Sequence, residues 1–364
     1  METELAVIGS GPAGLSAAIE AATFGVKVVV VDENPKPGGQ LFKQIHKFFG
    51  SEKHHAGVRG IDIGNQLLQQ CQDLNVDVLL NTEAWAIFDN GKALGLKRGT
   101  DKIEKLSTNK LILATGAMEN PLAFPGWTLP GVLGAGGIQT MMNLHRVLPG
   151  QRFLIVGTGN VGLIVSYQLI QAGAEVVAVV DILPKIGGWG VHASKIRRLG
   201  IPILTSHTVK KAIGNGEVER AIIAKTAPDH TIIQGTEKQL RVDTIGIAVG
   251  LTPMAELAWS AGCRFAHVVE LGGWVPVHNE RMETSLKDIY VAGDACGIGE
   301  ASTAMEEGQM SGLAVAESLG YLKRAKAEEL LEQSRKRLDT LLGGPFATYV
   351  KSGKGKLIKR YYES

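Results

Sequence analysis

Twice in this chain a short β-rich run enters a glycine turn, continues into a helix and returns as a valine-rich strand ending on aspartate. The first copy runs from Leu5-Ala6-Val7-Ile8 through Gly9-Ser10-Gly11-Pro12-Ala13-Gly14 to Val28-Val29-Val30-Val31 and Asp32. The second runs from Phe153-Leu154-Ile155-Val156 through Gly157-Thr158-Gly159-Asn160-Val161-Gly162 to Val176-Val177-Ala178-Val179-Val180 and Asp181. A G-x-G-x-x-G turn between strand and helix is a pyrophosphate cradle. Its first glycine permits the tight turn, its second lets the backbone approach the phosphates, and its third lets helix and strand pack closely. The helix N-terminus adds free N–H groups and a partial positive charge. Two copies about 148 residues apart predict two nucleotide-binding units in a chain of 364 residues.

Carboxylates complete the pattern. Asp32 and Glu33 follow Gly9 by 23 and 24 residues, and Asp181 follows Gly157 by 24, close to the spacing of an acid that holds ribose hydroxyls. At the second turn such an acid favours NAD(H) over NADP(H), because it accepts from a free 2′-hydroxyl and repels a 2′-phosphate. Lys185, four residues on, is not obviously placed to offset it. A turn of this kind also persists as scaffold after its ligand is lost, and for the second copy both readings stand.

Lysine plus arginine (38) nearly cancels aspartate plus glutamate (36), so charge gives no argument for nucleic acid or a membrane surface. No apolar run reaches the roughly 18–20 residues of a membrane helix. A strand begins almost at the N-terminus, so no signal segment is expected, and a reducing cytoplasm is the expected location. The three cysteines, Cys71, Cys263 and Cys296, lie too far apart for a disulfide framework or a sequence-local metal cluster. They are expected to be buried small hydrophobes.

Proline- and glycine-rich connectors, from Pro121 to Gly137 and at Gly250-Leu251-Thr252-Pro253, bracket the second copy. Strand signals return at Ile289-Tyr290-Val291-Ala292, with a helix from about Ala301. The predicted fold is α/β, with two nested Rossmann-like dinucleotide-binding domains. The first is discontinuous, 1–125 and 251–325. The second, 126–250, is inserted in it. Residues 326–364 form a helical and basic tail, whose stretch from Lys351 to Lys359 reads as solvated surface, with docking of a partner as the alternative.

From Gly9 to Gln40 the sequence resembles the two-dinucleotide flavoprotein superfamily that includes thioredoxin and glutathione reductases. Pro37-Gly38-Gly39-Gln40 resembles its flavin loop, Leu113-Ala114-Thr115-Gly116-Ala117 its outward crossing between domains, and Ala248-Val249-Gly250-Leu251-Thr252-Pro253 its return. Tyr290-Val291-Ala292-Gly293-Asp294 resembles the flavin "GD" motif, whose aspartate holds the ribityl chain. The resemblance implies FAD held by Gly9, Gly11, Pro12, Ala13, Gly14, Asp32, Glu33, Gly39, Gln40, Ala84, Thr115, Gly116, Gly293, Asp294, Ala301 and Thr303. It implies NAD(H) held by Gly157, Gly159, Asn160, Val161, Gly162, Asp181 and Gly250. The helix from Ala301 would aim its N-terminal dipole at the flavin pyrimidine, where negative charge builds on reduction.

Phe124-Pro125-Gly126-Trp127-Thr128-Leu129-Pro130-Gly131-Val132 resembles a segment of the α or A subunits of heteromeric amino-acid dehydrogenases. That group takes in opine oxidases, hydrogen cyanide synthase, dye-linked proline dehydrogenases and part of heterotetrameric sarcosine oxidase. The stretch from Val31 to Gln40 is closer to that branch than to the reductases. A disulfide reductase needs a thiolate that attacks a bound disulfide, yet no cysteine follows Gly39 in the flavin loop and the inserted domain has no C-x-x-C. Nor does any cysteine follow Cys296 to form the cysteine-rich iron–sulfur module that many of these subunits carry.

The resemblance therefore implies an FAD-dependent oxidoreductase that is not a disulfide reductase. Its expected role is the electron-transferring flavoprotein subunit of a heteromeric amine or amino-acid dehydrogenase. The expected partners are a second oxidoreductase subunit or an electron-carrier protein in a hetero-oligomer. A self-sufficient NADH:acceptor oxidoreductase is the alternative, and a non-catalytic nucleotide-binding scaffold the third class. Flavin carries the redox chemistry, so no nucleophile–base pair is required and no metal is expected. His46, His54 and His55 are candidate proton carriers or substrate anchors, although a solvated or partner-facing loop explains them as well. Cys296, two residues past Asp294, is a candidate redox group set against simple packing.

Overall fold

β1 (Glu2–Ile8) and β2 (Val28–Val31) are almost wholly buried, as parallel strands covered on both faces must be. In the computed structural model, which describes residues 1–99, 102–344 and 347–363, they centre the first of two compact units. That unit comprises Met1–Met118 and Thr252–Ser364, and the second Glu119–Leu251.

In the first unit α1 (Pro12–Thr23) joins β1 to β2, and α2 (Gly60–Asp73) leads to β3 (Asp77–Leu79), β4 (Thr82–Phe88), β5 (Ala93–Arg98) and the long β6 (Lys102–Leu113). The sheet order is β3-β2-β1-β6-β5-β4. On the edge away from β1, β6 serves two neighbours along its length. Lys102–Ser107 pairs antiparallel with β5, and Leu111–Leu113 pairs parallel with a strand that arrives far later in the chain. The crossing strand β7 (Ala117–Glu119) ends this half.

The second unit holds β8 (Val132–Gly134), α3 (Ala135–Asn143), β9 (Arg152–Val156), α4 (Asn160–Gln171), β10 (Glu175–Asp181), α5 (Gly190–Arg198) and β11 (Ile203–Thr205). β12 (His207–Ile213), β13 (Arg220–Lys225), β14 (Lys238–Arg241) and β15 (Thr244–Ile247) follow. A parallel sheet runs β11-β10-β9-β15-β8, and β12, β13 and β14 form a separate antiparallel sheet. Its core is split between the two faces of the parallel sheet, with Leu154 and Val156 on one and Phe153 and Ile155 on the other.

After β16 (Leu251–Pro253), α6 (Glu256–Ser260), the hairpin β17 (Phe265–Val268) and β18 (Gly273–Pro276), the chain re-enters the first sheet. β19 (Ile289–Val291) pairs with β6, setting Ile289 against Leu111 and Val291 against Leu113. α7 (Ala301–Ser318), α8 (Arg324–Leu341) and α9 (Thr348–Tyr362) complete the unit. The stretch from Lys351 to Lys359 is thus helical, and it is not wholly solvated. Leu357 is fully buried in a small core with Leu271 and Val275, and the Lys354 ammonium pairs with a buried carboxylate. Each unit is an α/β fold built on a Rossmann-type sheet. Among the described residues no helix is long and apolar enough to cross a membrane.

α1 and α7 pack against each other without side chains at their closest point. A Cβ on Gly308 would collide with the Ala13 carbonyl, and one on Gly312 with that of Ala17. Overpacking of this kind costs about 1–3 kcal/mol. Gly308→Ala should therefore lower the midpoint of thermal unfolding by several degrees. Gly355→Ala on α9, where a Cβ meets nothing within 4 Å, should leave it unchanged or raise it slightly. Calorimetry on both variants checks the contrast.

Candidate functional site

Gly9 has φ +102°, and a Cβ there would run into the Ala114 carbonyl at the end of β6. Glycine is therefore required on two grounds, conformation and space. Gly14 lies against the Gly9 carbonyl, whereas a Cβ on Gly11 would meet nothing within 4 Å. The turn is closed on its inner side and open at its middle glycine. α1 begins with Pro12 at its first turn and no side chain caps it, which leaves its first amides available to an anion.

The structure gives Asp32 a role different from the expected one. Its Oδ2 accepts hydrogen bonds from the Ser10 amide (2.7 Å) and the Ser10 hydroxyl (2.6 Å). Its Oδ1 accepts from the Asn34 amide (2.8 Å) and the Asn34 Nδ2 (2.9 Å). Both oxygens are consumed within the chain, and Asp32 braces the glycine turn. The adjacent acid, Glu33, is exposed. The Gly38 amide donates to the Ser10 carbonyl (2.8 Å), and Gly39 approaches Gly11 closely enough that a Cβ would lie 2.9 Å from its Cα. Gly39 and Gln40 begin a short helical turn there. Ala84 follows Thr82, whose amide donates to the Asp32 carbonyl at 3.0 Å.

Thr115 and Gly116 bond to the returning chain, the Thr115 hydroxyl donating to the Met254 carbonyl and the Met254 amide to the Gly116 carbonyl. Gly293 lies against Ala13, with 2.8 Å between its notional Cβ and that side chain. Asp294 follows, and its Oδ1 accepts from the Gly299 amide at 2.9 Å. Ala301 starts α7, and the Thr303 hydroxyl donates to the Glu300 carbonyl at 2.7 Å. The glycine turn, the Gly38–Gly39 loop, Thr115–Gly116, Gly293–Asp294 and the start of α7 all belong to the first unit.

Beneath Asp294 lies a charged cluster that the sequence did not reveal. Glu307 accepts from the Gly293 amide (2.9 Å) and pairs with Lys354 Nζ (2.8 Å), both side chains being buried. Lys354 also reaches the Cys296 carbonyl (3.1 Å) and Sγ (3.5 Å). Burial alone would lower the Lys354 ammonium, but the Glu307 carboxylate paired with it offsets this and holds the charge. Burial and Glu307 push the Cys296 thiol far up. A neutral, enclosed thiol is a poor nucleophile, so Cys296 acts here as packing and a weak hydrogen-bond partner.

The histidines separate. His54 is buried, its Nδ1 bonded to Ser51 Oγ and its Nε2 to Glu306 Oε1, both at 2.9 Å, and Arg337 pairs with the same Glu306. His46 stacks on Phe48, and His55 sits at φ 58° with its pKa lowered by burial. The structure therefore ties His54 to α7 and leaves the other two in the loop.

The second unit repeats the geometry of the first turn. Gly157 has φ +118° beneath the Ala248 carbonyl, Gly162 lies against the Gly157 carbonyl, and Gly159 is open. Asp181 Oδ2 accepts from the Thr158 amide (2.7 Å) and hydroxyl (2.5 Å), and Oδ1 from the Leu183 amide (2.9 Å). Here too the aspartate is the brace. The Gly187 amide donates to the Thr158 hydroxyl (3.1 Å), as Gly38 does to that of Ser10 (3.3 Å), and the Gly188 amide donates to the Thr158 carbonyl (2.8 Å). Asn160 Oδ1 accepts from the Trp189 amide at 2.9 Å, Val161 is exposed, and Gly250 has φ +115° with its carbonyl taking the Asn120 amide. The repeat extends to Pro35-Lys36-Pro37-Gly38-Gly39 and Pro184-Lys185-Ile186-Gly187-Gly188, a signal visible in the sequence and missed.

A family model described as pyridine nucleotide-disulphide oxidoreductase matches residues 3–308. The chain belongs to this family. It is 30% identical over 351 residues to the A subunit of opine oxidase from Rhizobium meliloti (strain 1021), covering 91% of this chain and 74% of that one. It is 27% identical over 354 residues to hydrogen cyanide synthase subunit HcnB of Pseudomonas aeruginosa, covering 92% and 75%. Among solved structures, L-proline dehydrogenase from P. horikoshii aligns with TM-score 0.70 at 24% identity, over 92% of this chain and 59% of that one. Thioredoxin reductase from T. acidophilum aligns with TM-score 0.72 at 20% identity, over 88% and 99%. The fold is the family's, with two dinucleotide-binding domains, and the protein is a flavoprotein oxidoreductase.

Two titrations oppose each other around the Glu307–Lys354 pair. Burial, with Glu307 adding, pushes the Asp294 carboxyl up to about 6. Burial, followed by Lys354, pulls His278 down to about 4. Between pH 4 and 6 the native state keeps a proton on Asp294 that the unfolded chain has lost, so this contribution to stability falls as pH rises. Below about 6.5 the unfolded chain protonates His278 and the native state does not, so that contribution falls as pH drops. In flavin-free protein, Asp294→Asn should enlarge the stability gained between pH 4 and 6.5 by up to about 3 kcal/mol, read by denaturant titration at both pH values.

Proposed function

We propose that this chain is the FAD-carrying, electron-transferring subunit of a heteromeric amine or amino-acid dehydrogenase. The similarity to the A subunit of opine oxidase along 91% of the chain carries this reading, because it spans both units and not the glycine turns alone. The residues of the first unit fit a flavin dinucleotide. The open Gly11 and the uncapped amides of α1 would take the pyrophosphate, and Glu33 the ribose. Asp294 would accept from the ribityl chain, and the α7 N-terminus would face the flavin pyrimidine. When bound, flavin supplies the electron-accepting chemistry.

The chain's own contribution is to orient and to exclude. Glu307 fixes the Gly293 amide, Lys354 holds Glu307 in place, and the α1–α7 contact sets Gly293 against Ala13. A partner subunit would oxidise the C–N bond of the substrate, and electrons would reach this flavin from it or pass through it. The repeated brace in the second unit favours a second reading, direct reduction by a pyridine nucleotide bound there.

Co-purification separates the two. Isolation of a second oxidoreductase subunit, with amine-dependent flavin reduction only in the complex, supports the subunit reading. Rapid bleaching of the isolated flavoprotein by NADH under anaerobic conditions supports the other. Asp294→Ala should weaken flavin retention about 10- to 100-fold, the loss expected for a charged hydrogen-bond partner. Stoichiometric flavin in that variant would remove Asp294 from the site.

A further inference from the structure

Superposing the two braces by their hydrogen bonds fixes which residues correspond. Asp32 and Asp181 each hold the amide and hydroxyl of the residue after the first glycine. Two residues on, the Asn34 carbonyl accepts the Asn81 amide (3.1 Å) and the Leu183 carbonyl accepts the Ser206 amide (2.9 Å). Asn81 and Ser206 are themselves alike, each at positive φ (48° and 52°) just past the neighbouring strand. With both flanks matched, the position of Glu33 in the first unit is held in the second by Ile182, which is exposed.

We propose that the second nucleotide site has no carboxylate to read the ribose 2′-hydroxyl, and so takes NAD(H) and NADP(H) with comparable affinity. The inference rests on the second unit binding a pyridine nucleotide at all. The preference for NAD(H) in such sites comes from an acid that accepts from the free hydroxyl and repels a phosphate. Asp181 is buried and bonded into the chain, its Oδ2 taking both Thr158 donors and its Oδ1 the Leu183 amide, whereas the next position, Glu33 in one unit and Ile182 in the other, is exposed. The residue that would do both is an isoleucine. Its aliphatic side chain offers the ribose neither an acceptor nor a repelling charge, and the neighbouring Leu183 is also exposed and apolar.

The test is equilibrium binding, by calorimetry, of NADH and NADPH to the flavin-loaded full chain. The wild type should bind the two within about threefold of each other. Ile182→Glu should open a preference for NADH of about tenfold or more, the factor expected for one charge-assisted hydrogen bond gained or one like-charge contact introduced. Asp181→Asn should weaken both nucleotides while leaving their ratio unchanged, since it loosens the turn that both share. A tenfold NADH preference in the wild type, or a ratio in Asp181→Asn that moves toward NADPH, would overturn the inference and leave the nucleotide site standing. If neither nucleotide binds while flavin remains stoichiometric, the inference falls together with the second-site reading beneath it.

Discussion

A buried carboxylate folded back onto its own glycine turn is the constraint on which both units depend. A turn of three glycines has little to keep it in one shape, since glycine surrenders more conformational freedom on folding than any other residue. Asp32 and Asp181 each tie the second residue of the turn to the end of the neighbouring strand through two donors, an amide and a hydroxyl. Ser10 and Thr158 are wholly buried, so losing the acceptor would strand two polar groups at a cost of a few kcal/mol. The brace holds open the middle glycine and the uncapped helix amides behind it. The turn that would receive a phosphate is thus braced from within by a buried carboxylate.

Around the first turn the same economy recurs at the level of helices. Gly308 and Gly312 let α7 approach α1 at backbone distance, bringing the start of α7 and the Gly293–Asp294 turn alongside the glycine turn. Glu307 and Lys354 then lock that turn from below. A buried pair of this kind is weak evidence for stability, because desolvation offsets much of the attraction. Its value here is geometric: the pair fixes the Gly293 amide and encloses Cys296, and it couples the last helix of the chain to the loop that would hold the flavin.

The architecture was legible in the sequence because its cause is local. Strand, glycine turn, helix and strand follow in order at both Gly9 and Gly157, and the returning Tyr290–Asp294 segment carries its own pattern. What stayed hidden depends on contacts across long sequence separations. Lys354 reads as one more lysine of a basic tail until α9 carries it to Glu307, 47 residues earlier in the chain. His54 looks like a loop histidine until it meets Glu306 on α7. The bracing bonds of Asp32 and Asp181 were hidden for a different reason: spacing locates an acid near the strand end but does not say whether it turns back onto the glycine turn, and only the bonds to Ser10 and Thr158 show that.

The fold and its specialisations are therefore carried by different residues. Scaffold positions are duplicated between the units: the glycines, the hydroxyl after the first of them, the bracing aspartate and the Gly-Gly return. Positions just beyond the scaffold are not duplicated: Ile182 stands where the first unit has Glu33, and Trp189 where it has Gln40. Disulfide exchange would need a thiolate beside the flavin loop, and the three cysteines are buried, with burial pushing Cys71 up to about 12 and raising Cys263 and Cys296 as well. A flavin in this chain consequently has no internal thiol to reduce. Its electrons would have to enter or leave through another nucleotide, another subunit or a soluble acceptor.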